Sequence, residues 1–178
     1  ATLRRTMAVI PQDPVLFSGS IRSNLDPFNE YSDHVLFETL ERVGLYASKM
    51  SSNSLTDLGI ACVQTLDDEV AEGGMNFSVG QRQLLVIGRA LLRGAKIVVM
   101  DEATAAVDAQ TDAAIQKTIR TEFKDATCLT VAHRINTIMD SDYVLVMSDG
   151  KAAEFDSPSS LMKQAGLFRD LVKASAQE

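Results

Sequence analysis

Apolar residues recur along this chain with two periods, and each stretch that keeps one period marks an element. The clearest helical spacing follows Ser78, where Leu84, Ile87, Leu91 and Leu92 fall on one face. Ser78-Val79-Gly80-Gln81 has the Ser-x-x-Gln form in which each side chain accepts a backbone N–H from the other residue, and Gly94 suits the position after a helix end. The spacing predicts a helix over 79–93. Residues 97–100 (IVVM) form an unbroken apolar run, which reads as a strand buried on both faces of a mostly parallel sheet. Asp101 and Glu102 emerge at its carboxyl end.

Elsewhere, Ser32 reads as the cap of a helix over 33–43 carrying Leu36, Leu40 and Val43, with Gly44 as its stop. Asp108 reads as the cap of a helix to about 123, with Ile115, Ile119 and Phe123 facing inward. Strands are expected at 5–10 and 126–131, the latter also buried, and a short helix at 135–139. A hairpin pairs 143–147 with 151–155 through Ser148-Asp149-Gly150. Ser157-Pro158 opens a terminal helix whose apolar side is Leu161, Leu167, Phe168, Leu171 and Val172. Between these, prolines force 11–14 (PQDP) into an extended loop that presents Gln12. Residues 15–28 read as irregular with one short helix near Ile21, and are apolar enough to suggest a surface that meets a partner or packs on its own helices. Residues 46–66 show weak helical periodicity in two pieces, and the acidic run 67–74 reads as a solvated loop.

Composition narrows the class. With 178 residues and 46% hydrophobic content, the chain suits one domain, or one domain with a subdomain. A net charge of -7 without a Lys/Arg cluster argues against nucleic acid as a partner. No apolar run is long enough to span a bilayer and no charged-then-apolar leader is visible, so the segment reads as soluble and cytosolic, with any membrane link made through a partner. Cys62 and Cys128 lack metal-type spacing and read as reduced, mostly buried thiols.

The polar residues at element ends then suggest a chemistry. Ligands of open α/β sheets bind outside the carboxyl ends of the strands, and helix N-termini attract anions. An aspartate after a strand can hold Mg²⁺ through its waters, and a neighbouring glutamate can orient or deprotonate an attacking water. Taken singly, Gln12 is an exposed turn residue and His133 a polar surface residue. His133 ends the second expected strand, however, and could share the rim with Glu102, where imidazole can bond a phosphate oxygen or relay a proton. The set reads as nucleotide hydrolysis. Yet the phosphate-cradling G-x-x-x-x-G-K-[ST] occurs nowhere, and Gly150-Lys151 is followed by Ala152 inside a hairpin.

In order and in spacing these residues resemble the ATP-binding-cassette (ABC) ATPases over practically the whole chain. The resemblance implies that Gln12 is the Q-loop glutamine, approaching Mg²⁺ and the attacking water. It makes Ser78, Val79, Gly80 and Gln81 the signature, with Val79 where the common pattern has glycine, acting on nucleotide held by a partner domain. Residues 97–101 resemble Walker B with Asp101 as a Mg²⁺ ligand, Glu102 the catalytic glutamate, residues 105–108 the D-loop ending in Asp108, and His133 the switch histidine. PQDPVLFSGSIRSNLDPF, SVGQRQL, DEATAAVD and AHRINTIMDSDYVLVM are similar to the C subfamily, the multidrug-resistance-associated exporters, and within it to the second nucleotide-binding domain.

The fold this implies is α/β: a RecA-like P-loop NTPase core with a mostly parallel sheet and an inserted α-helical signature subdomain. The N-terminal antiparallel strands and the P-loop of the family are missing. The expected division is a partial ABC ATPase domain over 1–178, with core strand and Q-loop at about 1–14, helical subdomain at about 15–93 and the remaining core at about 94–178. ATP and Mg²⁺ are the implied cofactors. The first nucleotide-binding domain and the transmembrane domains of the same transporter are the implied partners, placing the segment at the cytoplasmic face of a membrane protein. Read as a fragment, it is expected to be inactive alone. A soluble cassette ATPase and a non-catalytic remnant that docks on a partner are the alternatives.

Overall fold

The computed structural model describes residues 6–47, 62–101, 107–132 and 135–175. The chain divides into two compact units, 1–130 and 131–178. In chain order the first unit contains β1 (Met7–Ile10), β2 (Gly19–Ser20), α1 (Ile21–Leu25), α2 (Asp33–Arg42), β3 (Glu69–Val70), a 3₁₀ turn (Glu72–Gly74), α3 (Val79–Leu92), β4 (Ile97–Asp101) and α4 (Ala109–Glu122). It also holds most of β5 (Thr127–Val131). The second contains α5 (Ile135–Met139), β6 (Val144–Ser148), β7 (Lys151–Asp156), α6 (Pro158–Lys163) and α7 (Leu167–Ser175).

Helix α3 is the axis of the first unit. Ser78 accepts the Gln81 N–H at 3.2 Å while Gln81 Oε1 accepts the Ser78 N–H at 2.9 Å, so the expected reciprocal cap is formed. The helix ends on Arg93, and Gly94 at φ 58° takes the left-handed step that follows. The predicted apolar stripe understates its burial: Gly80, Gln83, Leu84, Leu85, Val86, Ile87, Gly88 and Ala90 are all buried. Each fully buried Leu or Ile here is worth about 1.5–3 kcal/mol. On one side a Cβ at Gly88 would lie 3.2 Å from Leu25 of α1 and 3.6 Å from Thr39 of α2, so glycine lets both helices approach closely.

Strands β1 and β4 run parallel, with Met7 opposite Ile97 and Ile10 opposite Met100, and β4 lies between β1 and β5. Ala8, Ile10, Val98 and Met100 are buried, whereas Val9 is 59% exposed and Ile97 and Val99 are half-buried. The expectation of a strand buried on both faces is therefore corrected to burial of alternate residues. Strand β5 departs further, with Leu129 58% and Val131 53% exposed. An apolar run specifies that a strand can be covered, but the neighbours decide whether it is.

Other differences are local. Ser32 stands at the N-cap of α2 but makes no side-chain cap bond. The acidic run is not simply a solvated loop: Glu69 and Val70 pair antiparallel with Ser20 and Gly19, and Val70 is buried. Asp68 accepts from Thr65 Oγ1 at 2.6 Å and from the Gln64 and Thr65 N–H groups, and these bonds, the Thr65 hydroxyl foremost, hold its carboxyl below the ordinary range. The two weak helical pieces expected at 46–66 fall mainly outside the described residues.

In the second unit, Asp149 and Gly150 both have positive φ, 50° and 74°, and make the two-residue turn between β6 and β7 that the sequence predicts. The single terminal helix is corrected to two. Gln164 is extended, and the Glu154 carboxylate of β7 accepts the Leu167 and Phe168 N–H groups at 2.8 and 3.0 Å, starting α7 afresh. Val146, Leu161 and Phe168 form this unit's core.

Both cysteines are free thiols, Cys62 half-buried and Cys128 exposed, so "mostly buried" does not hold for Cys128. Burial, with Asp68 adding to it, pushes the Cys62 thiol up to about 11. At pH 8 its alkylation by iodoacetamide should accordingly be about 100-fold slower than that of an ordinary thiol, because only the thiolate reacts. Labelling at the ordinary rate, followed by mass spectrometry, would contradict this burial.

Candidate functional site

The register of β1 and β4 carries the first half of the site. Because Ile10 pairs with Met100, Pro11 and Asp101 occupy equivalent positions as the two parallel strands reach the same carboxyl edge, with Gln12 the next residue along. Gln12 and Asp101 are both exposed there. Their oxygen donors fit Mg²⁺, which binds through one or two protein oxygens and otherwise keeps phosphate and water ligands. No cluster of three or more His, Cys, Asp or Glu suited to a metal occurs among the described residues. Glu102 follows Asp101 directly in the chain but lies outside the described residues, as does His133.

The second half is the start of α3. Its reciprocal cap engages the N–H groups of Ser78 and Gln81, leaving those of Val79 and Gly80 at the first helical positions without intrahelical partners. Ser78 is exposed, Val79 and Gln81 half-buried and Gly80 buried. Arg82 fixes the approach to the cap, donating to the carbonyls of Phe77 at 2.9 Å and Gly74 at 3.3 Å. Gly74, at φ 70°, is pressed against Leu16 and Arg82, so no other residue fits that turn without strain.

The structure brings the start of α3 against the start of α4. A Cβ on Gly80 would lie 2.8 Å from Thr111 Cγ2 and 3.5 Å from Val107 Cγ1. Asp108, between them in sequence, caps α4 by accepting from Thr111 N–H at 3.0 Å and Gln110 N–H at 3.2 Å. Those bonds, the Thr111 N–H first, lower its carboxyl from the ordinary range. A depressed carboxylate stabilises the fold above its unfolded pKa, and that contribution is lost as pH falls through the folded value. Gly80→Ala should push the two helix starts apart. The overlap costs about 1–3 kcal/mol, offset by up to about 1 kcal/mol of helix propensity. Hydrogen exchange in the first turn of α4 should rise, and Thr111→Ser, which deletes the clashing methyl, should restore it. Wild-type exchange in Gly80→Ala would contradict the contact.

Two polar residues of α3 were not singled out by the sequence reading. Gln83 is wholly buried and donates through Nε2 to the Pro11 carbonyl at 3.3 Å. Arg89 donates to the Asn24 carbonyl at 2.5 Å, Asn24 Oδ1 at 2.7 Å and the Val15 carbonyl at 2.8 Å, and its central carbon lies over the Phe17 ring, 5.9 Å from the centroid. The available signal was a glutamine on the buried side of an apolar helix, in line with Ile87 and Ala90. Asn24 in turn pairs with both backbone groups of Phe17, at 2.9 and 2.8 Å. Held in this way, Phe17 is 68% exposed; Val15 and, beyond α1, Phe28 are 56% and 77% exposed.

Comparison with known proteins decides what this arrangement belongs to. A family profile described as "ABC transporter" matches residues 1–105. The chain belongs to the ABC transporter family. Among its relatives, ABC transporter C family member 8 of Dictyostelium discoideum is 53% identical over 174 residues, 97% of this chain and 10% of that protein. ATP-binding cassette sub-family C member 2 of Rattus norvegicus is 51% identical over 176 residues, 99% of this chain and 11% of that protein. A solved bacterial Atm1-family ABC exporter with ATP bound superposes with a TM-score of 0.80 at 31% identity, over 98% of this chain and 29% of its own. The chain thus has the RecA-like P-loop fold seen in the nucleotide-binding domain of that exporter and is a segment of the C-subfamily ABC type. It spans about a tenth of the length of these curated relatives. Among the described residues no helix is long and apolar enough to cross a membrane.

Proposed function

We propose that this ABC segment serves a longer C-subfamily exporter in which ATP hydrolysis drives the outward transport of organic anions, conjugates or drugs. The observation that carries the reading is the register that sets Gln12 and Asp101 on one carboxyl edge, one residue before Glu102. In this proposal Asp101 and Gln12 hold Mg²⁺, which when bound neutralises charge on the ATP phosphates. Glu102 orients the attacking water and takes its proton, and His133 bonds a phosphate oxygen. Ser78, Val79, Gly80 and Gln81 bind nucleotide held by the first nucleotide-binding domain, with Asp108 fixing the neighbouring helix start. Residues 15–93 form the helical subdomain and the remainder the nucleotide core. The exposed Val15, Phe17 and Phe28 dock on the transmembrane domains, which is where the protein meets the cytoplasmic side of a membrane.

The deciding experiment is ATP-dependent uptake of a fluorescent organic-anion conjugate into inside-out vesicles containing the complete protein, with Glu102→Gln beside the wild type. Uptake by the wild type and none by the variant supports the reading. Equal uptake by both overturns it.

A further inference from the structure

Among the described residues of this unit, Gln83 is a buried polar group that neither the fold nor the proposed chemistry explains. It has no exposed surface, and Leu84, Leu85 and Ile87, which follow it in α3, are equally buried. Its Nε2 donates to the Pro11 carbonyl at 3.3 Å, while its Oε1 is buried and accepts no hydrogen bond. A buried amide satisfied on one end only is less favourable than an apolar side chain of the same length. Its contribution is therefore the grip on Pro11, not stability.

Two rigid connections make that grip consequential. Gln83 lies in the same helix as Ser78, about a turn and a half further on, and α3 is packed on nearly every side, so signature and Gln83 move together. Pro11 shares a peptide group with Gln12. The amide held by Gln83 is thus the one whose N–H belongs to Gln12. A tilt of α3 when the signature meets nucleotide is passed, through this one bond, to the glutamine at the other half-site.

We propose that Gln83 is a positioning residue that couples the signature helix to Gln12. The proposal rests on the reading of Gln12 and Ser78–Gln81 as parts of two nucleotide sites. Gln83→Met keeps length and volume and removes both polar ends; Pro11 is only half-buried, so its carbonyl can turn to water. In the complete transporter, Gln83→Met should lower kcat for ATP hydrolysis about tenfold, the order expected for a small misplacement of a catalytic group. KM for ATP should stay within about twofold and the melting temperature should not fall. In a Gln12→Ala background the same substitution should have no further effect on kcat, since the two act as one unit.

Wild-type kcat in Gln83→Met, a melting temperature that drops along with kcat, or an undiminished effect in the Gln12→Ala background would each overturn the coupling. Glu102→Gln run in parallel separates the two levels. If it hydrolyses ATP normally, the site reading itself has failed. If it is inactive while Gln83→Met is unaffected, only the role of Gln83 is lost.

Discussion

Replacing Glu102 with glutamine should lower ATP hydrolysis by the complete protein at least ~100-fold while leaving ATP binding within a few-fold of wild type. The side chains are nearly the same size and both accept a hydrogen bond from water, so the substitution is close to silent for packing. What glutamine cannot do is take the proton of the attacking water. A general base contributes about 10²–10⁴ in rate, or roughly 3–5 kcal/mol of barrier. Because β4 delivers Asp101 to the carboxyl edge, the proposed proton acceptor, Glu102, is the next residue in sequence after the proposed Mg²⁺ ligand. The loss should thus fall on kcat, and nucleotide should accumulate on the protein unhydrolysed. Single-turnover hydrolysis and retention of a fluorescent ATP analogue measure the two quantities separately. A variant with more than half the wild-type turnover would remove Glu102 from the chemistry. One that no longer binds ATP would make it a binding residue instead.

What could be read without coordinates follows the range of the interaction that sets each feature. Ser78 with Gln81, Gly94 and Asp149-Gly150 are decided within a few residues of themselves, and the structure forms the cap, the helix end and the turn where the sequence places them. The same is true of Asp108 as a cap and of Pro158 at the start of α6. The pairing of Glu69 and Val70 was invisible because its partner, Gly19–Ser20, lies about fifty residues upstream. The break before α7 was missed because the groups that start it belong to Glu154, on a strand. Burial of β4 and β5 was overestimated because composition records what a strand tolerates, whereas Val9, Leu129 and Val131 show which side is left open. At the site, Gln12 and Asp101 could each be named from sequence. That they reach the same edge needed the Ile10 to Met100 register.

Arg89→Met should loosen residues 15–28 more than any other single change in α3. The guanidinium makes three hydrogen bonds, to the Asn24 carbonyl, Asn24 Oδ1 and the Val15 carbonyl, and Phe17 lies 5.9 Å from its central carbon. Burial, and secondarily the charge of Arg93, lowers its pKa from the ordinary value, but no side chain holds a proton more firmly, so it remains a cation. Methionine fills much of the volume and satisfies none of the three acceptors, at a cost of about 2–4 kcal/mol. Amide hydrogen exchange in peptides spanning 15–28 should then rise roughly 30- to 1,000-fold if local opening controls it. Lysine keeps the charge but lacks the planar fork that reaches Asn24 and Val15 together, so Arg89→Lys should fall between the two. Because Asn24 carries Phe17 through both of its backbone groups, losing the anchor also releases the apolar residues proposed to meet the membrane part. Arg89→Met should therefore retain nucleotide binding while transport per ATP hydrolysed declines. Exchange at the wild-type rate in Arg89→Met would show that α1 and β2 hold the segment without it.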